Sequence, residues 1–166
     1  MENFCYGNAL RRRIPIQRRM EIIKMKYIRM TDTADSDIPV LNQIHLLPEI
    51  SKFISISDNY WNYITTEEKV SYYKIYSENT LVGTVHTEFD RNTLYLSVLV
   101  FPEHQNKGYG TAAIKDIKSG VLPCTFDRIE VSVATDNTAS IRLFEKCGFV
   151  CVSQKEDLLN YVYECR

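Results

Sequence analysis

Val98-Leu99-Val100-Phe101-Pro102-Glu103-His104-Gln105-Asn106-Lys107-Gly108-Tyr109-Gly110-Thr111-Ala112 is the stretch on which the fold turns. An apolar run ends at Pro102, a short polar loop follows, and a helical pattern opens at Tyr109 with glycines on either side of it. A strand that is apolar on both sides of its pleat belongs in the middle of a sheet with both faces covered. The N–H groups of a helix's first turn lack internal partners and carry partial positive charge. Glycines let an anion approach that backbone closely, and Lys107 adds a full charge. The segment reads as a phosphate cradle, or as ordinary turn glycines at a helix start.

Upstream, the period is two. Ser71 to Ser77, Leu81 to Phe89 and Thr93 to Phe101 alternate as neighbouring strands, joined by turns at Glu78-Asn79 and Asp90-Arg91-Asn92. Before them, Lys26 to Met30 reads as a first strand. Asp35 to Leu47 carries a helical stripe (Ile38, Leu41, Ile44, Leu47) that Pro48 interrupts. Glu49 to Ile56 reads as a second short helix, and the aromatic stretch Ser57 to Thr66 as irregular or helical. Downstream, helices over Tyr109 to Ile117 and Asn137 to Cys147 are closed by Gly120 and Gly148 and separated by a strand at Arg128 to Ala134. Phe149 to Gln154 and Asn160 to Cys165 read as a terminal hairpin. This order predicts an α+β (mixed α/β) fold, a sheet covered on both faces.

The chain has 166 residues, 45% hydrophobic and 25% charged, as expected of one ordinary globular domain. No apolar run approaches the roughly 20 residues of a membrane helix, so no membrane is expected as partner. Its five cysteines are odd in number, widely spaced and without a C-x-x-C pair, and its three histidines lack ligand spacing. That pattern predicts reduced thiols in the cytoplasm and no metal. The net charge of −1 hides an asymmetry: residues 1–30 carry eight Lys or Arg against two Glu, leaving −7 for the remainder. Residues 1–24 read as a basic leader, mobile or not native, and residues 25–166 as the domain. Nothing aromatic interleaves the leader's arginines to stack on bases, so nucleic acid is not expected. The acidic body favours cationic substrates.

Three cofactor classes compete for the cradle. A nucleoside-triphosphate loop needs G-x-x-x-x-G-K-[ST], which is absent. Gly108-Tyr109-Gly110-Thr111-Ala112-Ala113 does fit a dinucleotide fingerprint, with Asp127 and Glu130 where a ribose-binding acid belongs. Against it, the first glycine lies several residues beyond the strand, and too little chain follows for a doubly wound sheet. The third class is coenzyme A. Gln105-Asn106-Lys107-Gly108-Tyr109-Gly110 resembles the Q/R-x-x-G-x-G/A motif of the GNAT N-acetyltransferases. Asn137-Thr138-Ala139-Ser140-Ile141-Arg142-Leu143-Phe144-Glu145-Lys146-Cys147-Gly148-Phe149 resembles a second segment of that family, in the right order and at the right distance.

The resemblance implies a mostly antiparallel, splayed sheet of about six to seven strands, with acetyl-CoA as co-substrate and no metal. Pantetheine would lie against Val98, Leu99 and Val100, and the Val98 N–H would polarise the thioester carbonyl. Pyrophosphate would take the N–H groups from Gln105, Asn106, Lys107, Gly108, Tyr109, Gly110 and Thr111. Asn137, Ser140 and Phe144 would border the cofactor arm, Asn137 also serving as a helix N-cap. The reaction would be direct attack of a primary amine, on a small molecule or a peptide, within a ternary complex. Two positions depart from the family pattern. Leu94 stands where some members carry a glutamate base, and Phe144 where many carry a tyrosine acid. On the strand Leu81 to Phe89, His86, Glu88 and Asp90 share one face, which makes Glu88 the candidate replacement base, acting through water. A solvated strand face explains the same parity. Tyr60, Trp61 and Tyr63 fit an acceptor wall, core packing or a homodimer contact equally well. A non-catalytic acyl-CoA-binding domain is the competing reading, and a dinucleotide enzyme the third.

Overall fold

The computed structural model describes residues 23–165. The expected leader lies outside the described residues except for its last two. Seven strands form one sheet: β1 (Met25–Arg29), β2 (Val70–Ser77), β3 (Thr80–Asp90), β4 (Thr93–Val100), β5 (Arg128–Ala134), β6 (Val150–Lys155) and β7 (Leu158–Glu164), in the order β1-β2-β3-β4-β5-β7-β6. Every neighbouring pair is antiparallel except β4 with β5. Five helices complete it among the described residues: α1 (Ile38–Leu46), α2 (Pro48–Ser51), α3 (Tyr60–Thr66), α4 (Tyr109–Lys118) and α5 (Thr138–Lys146). The mixed fold with a mostly antiparallel sheet is the one expected.

The alternation of each central strand sorts its side chains into two cores. On one face, Ala113, Ile114 and Ile117 of α4 and Phe144 of α5 pack on Val85, Leu94, Leu96, Ile129, Val131 and Val133. On the other, Leu41 and Ile44 of α1, Ile50 of α2 and Ile64 of α3 cover Val70, Tyr72, Leu99 and Phe101. β4 thus contributes Leu94 and Leu96 to one core and Leu99, with Phe101 just beyond it, to the other, the double covering that its apolar run required.

Two helices are shorter than their patterns. α1 begins at Ile38 and not at Asp35 because both aspartates ahead of it are taken by a tertiary contact. The buried Lys74 ammonium reaches both Asp35 carboxylate oxygens (2.8 Å) and Asp37 Oδ2 (2.6 Å), and the Tyr76 hydroxyl also donates to Asp37 Oδ2. Pro39 in its first turn fixes the start. α2 stops at Ser51, one turn long, so the helix expected to Ile56 is mostly irregular chain.

Gly83 sets how closely β3 and β4 approach. It pairs with Val100, next to a register shift in the β2–β3 ladder, and a Cβ there would overlap the Leu99 carbonyl oxygen. That neighbour is backbone and cannot rotate away. Gly83→Ala is therefore expected to destabilise the protein by about 1–3 kcal/mol, read as a lower urea unfolding midpoint. An unchanged midpoint would show that the two strands have room to part.

Candidate functional site

The site begins where the sheet opens. β4 and β5 pair only at Thr93–Arg128, Leu94–Ile129 and Tyr95–Glu130; beyond that both strands continue without each other. β4 stays on β3 and β5 stays on β7 throughout, so a gap widens between two otherwise complete ladders. The backbone edge facing it follows from alternation. The Phe101 N–H donates to the Val82 carbonyl at 3.0 Å, extending an unbroken β3–β4 register. Odd-numbered residues at this end of β4 therefore direct N–H and C=O at β3, and Val98 and Val100 direct theirs into the gap. The Gln105 side-chain amide donates to the Val100 carbonyl at 3.1 Å, which confirms that this carbonyl faces outward. Of the three expected strand residues, Val98 and Val100 border the gap. Leu99 does not: its polar groups face β3 and its side chain is in the α1–α3 core.

A single 3-10 turn, Pro102–His104, carries the chain from β4 towards α4. Asn106 and Gly108 then take positive φ (58° and 90°), and Gly108 is the N-cap of α4. The first backbone bond of the helix runs from Ala112 N to the Gly108 carbonyl (3.0 Å). Among the described residues, no backbone acceptor takes the N–H groups from Asn106 to Thr111. Lys107 is exposed beside them. Gly110 has a packing reason: a Cβ there would lie 3.0 Å from Leu143 Cδ2 of α5 and 3.6 Å from Val100 Cγ2. Its absence lets the helix N-terminus close on both the gap strand and α5. Gln105 to Thr111 are thus brought together at the mouth of the gap.

At the start of α5, the Asn137 side chain accepts from the Ser140 N–H (3.2 Å), the N-cap its sequence implied. Phe144 is only 5% exposed and meets the Phe149 ring edge-on at 5.2 Å. It is a core residue, with almost no surface to offer a ligand. Leu94 is 1% exposed in the same core.

The opposite face of the open end holds a cleft of about 350 Å³, bounded by Tyr60, His86, Glu88, Tyr95, Ser97 and Glu130 among others. Within it a chain of hydrogen bonds links α3 to β3. The Tyr60 hydroxyl lies 2.6 Å from His86 Nδ1, His86 Nε2 lies 3.2 Å from Glu88 Oε1, and the Tyr63 hydroxyl donates to that same oxygen at 2.9 Å. Parity had placed His86 and Glu88 on one face. The two tyrosines were undecided between core and site, and only the packing of α3 over β3 brings their hydroxyls to these partners. Tyr95, Ser97 and Glu130 were not singled out as cleft residues in the sequence, although Tyr95 pairs in register with both Glu88 and Glu130.

Burial pushes the His86 imidazole below its usual range, partly offset by Glu88, and burial likewise lowers His45. His45 is 6% exposed, and neither ring nitrogen has a hydrogen-bond partner among the described residues. Depressed folded values mean the unfolded chain binds protons first. Stability is therefore held above the ordinary histidine value of 6.5 and lost as pH falls through it towards the depressed values. The thermal midpoint should be flat from about pH 7 to 8 and drop between about pH 6.5 and 5, with a shallower drop in His45→Phe. An equal drop in that variant would remove His45 from the account.

The dinucleotide reading loses ground. Asp127 is tied to the Asn92 turn, its N–H on the Asn92 carbonyl (2.9 Å) and its carboxylate on the Asn92 amide (2.6 Å). β4 is eight residues long, so that turn lies roughly 25 Å from the glycine loop, and no ribose on the cradle reaches it. Cys147 is buried and its thiol is pushed up by burial, against a nucleophilic role.

The family model described as acetyltransferase (GNAT) matches residues 40–149. A curated relative, spermidine N(1)-acetyltransferase of Vibrio cholerae serotype O1, is 29% identical over 73 residues, and the match spans 42% of this chain and 41% of that protein. Among solved structures, an acetyltransferase from Thermus thermophilus superposes with a TM-score of 0.72 at 19% identity, covering 87% of this chain and 99% of that one. The N-acetyltransferase PseH of Campylobacter jejuni, in complex with acetyl coenzyme A, superposes at 0.70 and 11% identity, covering 86% and 100%. These likenesses share the overall fold, and with the family model matched across the strands, cradle and α5 that build the site, the chain belongs to the acetyltransferase (GNAT) family.

Proposed function

We propose that this protein transfers the acetyl group of acetyl-CoA to a primary amine by direct attack within a ternary complex. The observation that carries the reading is the open edge of β4. Val98 and Val100 turn backbone donors and acceptors into a gap that no described strand fills, at the foot of a helix whose first N–H groups take no backbone acceptor. An extended amide-bearing arm pairs with such an edge as an added strand would. A pyrophosphate suits the Gln105–Thr111 cradle, where Asn106 and Gly108 turn the backbone and Gly110 leaves room.

Each residue then has a task. Val98 and Val100 hold the pantetheine amides, and the Val98 N–H donates to the thioester oxygen as negative charge develops there. Gln105, Asn106, Lys107, Gly108, Tyr109, Gly110 and Thr111 bind the pyrophosphate. Asn137 and Ser140, linked at the start of α5, border the arm, while Leu99 and Phe144 support the site from the two cores. The acceptor enters by the cleft beside Tyr60 and Glu88. Glu88 takes one proton from the acceptor ammonium, the nitrogen bonds to the acetyl carbon, and as the C–S bond breaks the second N–H proton passes through water to the departing sulfur, releasing coenzyme A as its thiol. The carboxylates of Glu88 and Glu130 favour cationic acceptors, small or peptidic, and the activity named for the Vibrio relative puts polyamines first in a panel. Free Cys124, Cys147, Cys151 and Cys165 fit a cytoplasmic setting.

A second reading, an acyl-CoA-binding domain without turnover, is favoured by one observation. Leu94 and Phe144, where the family resemblance expects a base and an acid, are apolar and buried. Calorimetry with acetyl-CoA, and NADH as control, tests the cofactor, and free thiol released with an amine panel tests turnover. Acetyl-CoA alone is expected to bind, with Lys107→Ala weakening it several-fold. Glu88→Gln should leave that affinity unchanged and lower kcat by about 10²-fold or more. Binding without turnover for any amine would select the second reading, and NADH binding in place of acetyl-CoA would end both.

A further inference from the structure

We propose that His86 and Tyr60 are positioning residues for Glu88: the Tyr60 hydroxyl on Nδ1 holds the imidazole in its Nε2–H form, and that N–H, together with the Tyr63 hydroxyl, occupies one carboxylate oxygen of Glu88 and leaves the other open to the acceptor's ammonium. This rests on the acyl-transfer reading above and adds three residues to it.

The donor sense of the chain follows from its ends. Tyr60 is partly buried, and that burial raises its hydroxyl well above the ordinary tyrosine range, so it keeps its proton. The Glu88 carboxylate can only accept, so the hydrogen between it and the ring belongs to His86 Nε2, and Nδ1 of the neutral ring accepts the Tyr60 O–H across 2.6 Å. Nε2 lies 3.2 Å from Glu88 Oε1. Tyr63 O–H donates to the same oxygen at 2.9 Å. Both donors meet Oε1, and no side chain or backbone group among the described residues donates to Oε2. Glu88 is half exposed (49%) and lines the cleft, while the His86 side chain is 17% exposed behind it.

Packing holds the ring in this role. His86 lies nearly parallel to the Tyr60 and Tyr63 rings of α3, at interplanar angles of 25° and 24°, and the Tyr72 ring of β2 meets it edge-on. From β4, Ser97 pairs with it in register, and Tyr95 pairs with Glu88. The charged groups bordering the cleft are Glu88 and Glu130, with no lysine or arginine among its lining residues. Glu130 is itself ion-paired with Arg128, Nε to Oε1 at 2.8 Å, whereas no lysine or arginine among the described residues pairs with Glu88. Protonating His86 would put a second N–H at Nδ1 against the Tyr60 donor, forcing that hydroxyl to turn away. The neutral form is the one the cluster holds.

The proton step balances on named atoms. An N–H bond of the acceptor ammonium breaks, an O–H bond forms at Glu88 Oε2, and the electron pair stays on nitrogen for attack. That proton then leaves Glu88 to bulk water at its exposed side, and the second N–H proton, lost after attack, goes to the departing sulfur. His86 neither gains nor loses a proton in the cycle, which separates this role from that of a histidine base.

Three variants and one spectrum test it. His86→Phe keeps the ring and loses the donor; it should leave the acetyl-CoA affinity unchanged and lower kcat about tenfold or more. His86→Gln, which can offer an amide N–H to Oε1, should recover part of that loss. Tyr60→Phe should move the acid limb of kcat/KM to higher pH, because the Tyr60 donor then no longer opposes a proton on Nδ1 and burial alone disfavours it. Nitrogen-15 NMR of the whole chain should find His86 as the Nε2–H form with a titration below 6.5. A protonated Nδ1 in neutral His86, or a titration at or above that value, overturns the proposal without reference to activity. Unchanged kcat in His86→Phe, with normal turnover of the unsubstituted protein, overturns the positioning role alone. No turnover by the unsubstituted protein, with acetyl-CoA bound, overturns the acyl-transfer reading and this one together.

Discussion

The parallel contact between β4 and β5 lasts three residue pairs and then stops, and most of what this chain offers a ligand follows from that interruption. Each of the two strands is fully committed on its other side, β4 to β3 and β5 to β7, so neither can bend across to close the gap without breaking a complete antiparallel ladder. The edge left open is costly. A buried backbone donor or acceptor without a partner loses about 1–3 kcal/mol, and Val98 and Val100 present theirs from the middle of the sheet. The Gln105 side chain meets one of them, the Val100 carbonyl. The remainder must be met by water or by an extended molecule carrying amides. A sheet built in this way selects for a ligand shaped like a strand, before any side chain is considered.

The two cores divide the work around that gap. On the α4–α5 side, apolar packing brings the N-terminus of α4 to the mouth of the opening, and Gly110 permits its close approach to Val100 and to Leu143 of α5. The other face carries the polar and aromatic groups. There the short α1 is pinned by Lys74 to two aspartates, which fixes the layer of helices under which the aromatic cluster of His45, Tyr60, Trp61 and Tyr72 assembles. A charged acceptor meets opposing demands in this cleft. Carboxylates at Glu88 and Glu130 attract an ammonium, yet their charge also stabilises its protonated form, which cannot attack a thioester. A cleft that recruits cations therefore needs a proton acceptor held ready at short range, and in the proposed arrangement a neutral His86 adds a donor to Glu88 without adding a charge that repels the ammonium.

How much of this was legible in the sequence depended on whether the signal was local. Strand alternation and the Gly108–Gly110 helix start are properties of a few consecutive residues, and they gave the element order and the cradle. Asn137 as a helix cap was equally local. The misjudged helix boundaries have tertiary causes: Asp35 and Asp37 could have entered α1, but a lysine 37 residues or more away in the chain holds their carboxylates. The resemblance set Leu99 beside Val98 and Val100 at the cofactor arm, but which residues face the gap depends on the register with β3, which a continuous apolar run does not reveal. Parity was enough to put His86 beside Glu88. It could not supply Tyr60 and Tyr63, since an aromatic stretch packs a core and lines a cleft with the same residues until the helix carrying it is placed.

The fate of the two departures from the family pattern ties these threads together. Leu94 and Phe144 belong to the same apolar cluster, on the α4–α5 face of the sheet, and each is almost completely buried. A carboxylate or phenol introduced there would lose hydration without a partner in that cluster, a cost that favours keeping it apolar. On the proposed reading, proton chemistry is thereby displaced to the other side of the sheet. The groups that can exchange protons near the open end of β4 are those of β3 and α3, where Glu88 is solvent-accessible and already hydrogen-bonded on one oxygen. On the proposed reading, an apolar base position and an apolar acid position are consistent with an active enzyme, because Glu88 approaches from the face on which the acceptor would enter.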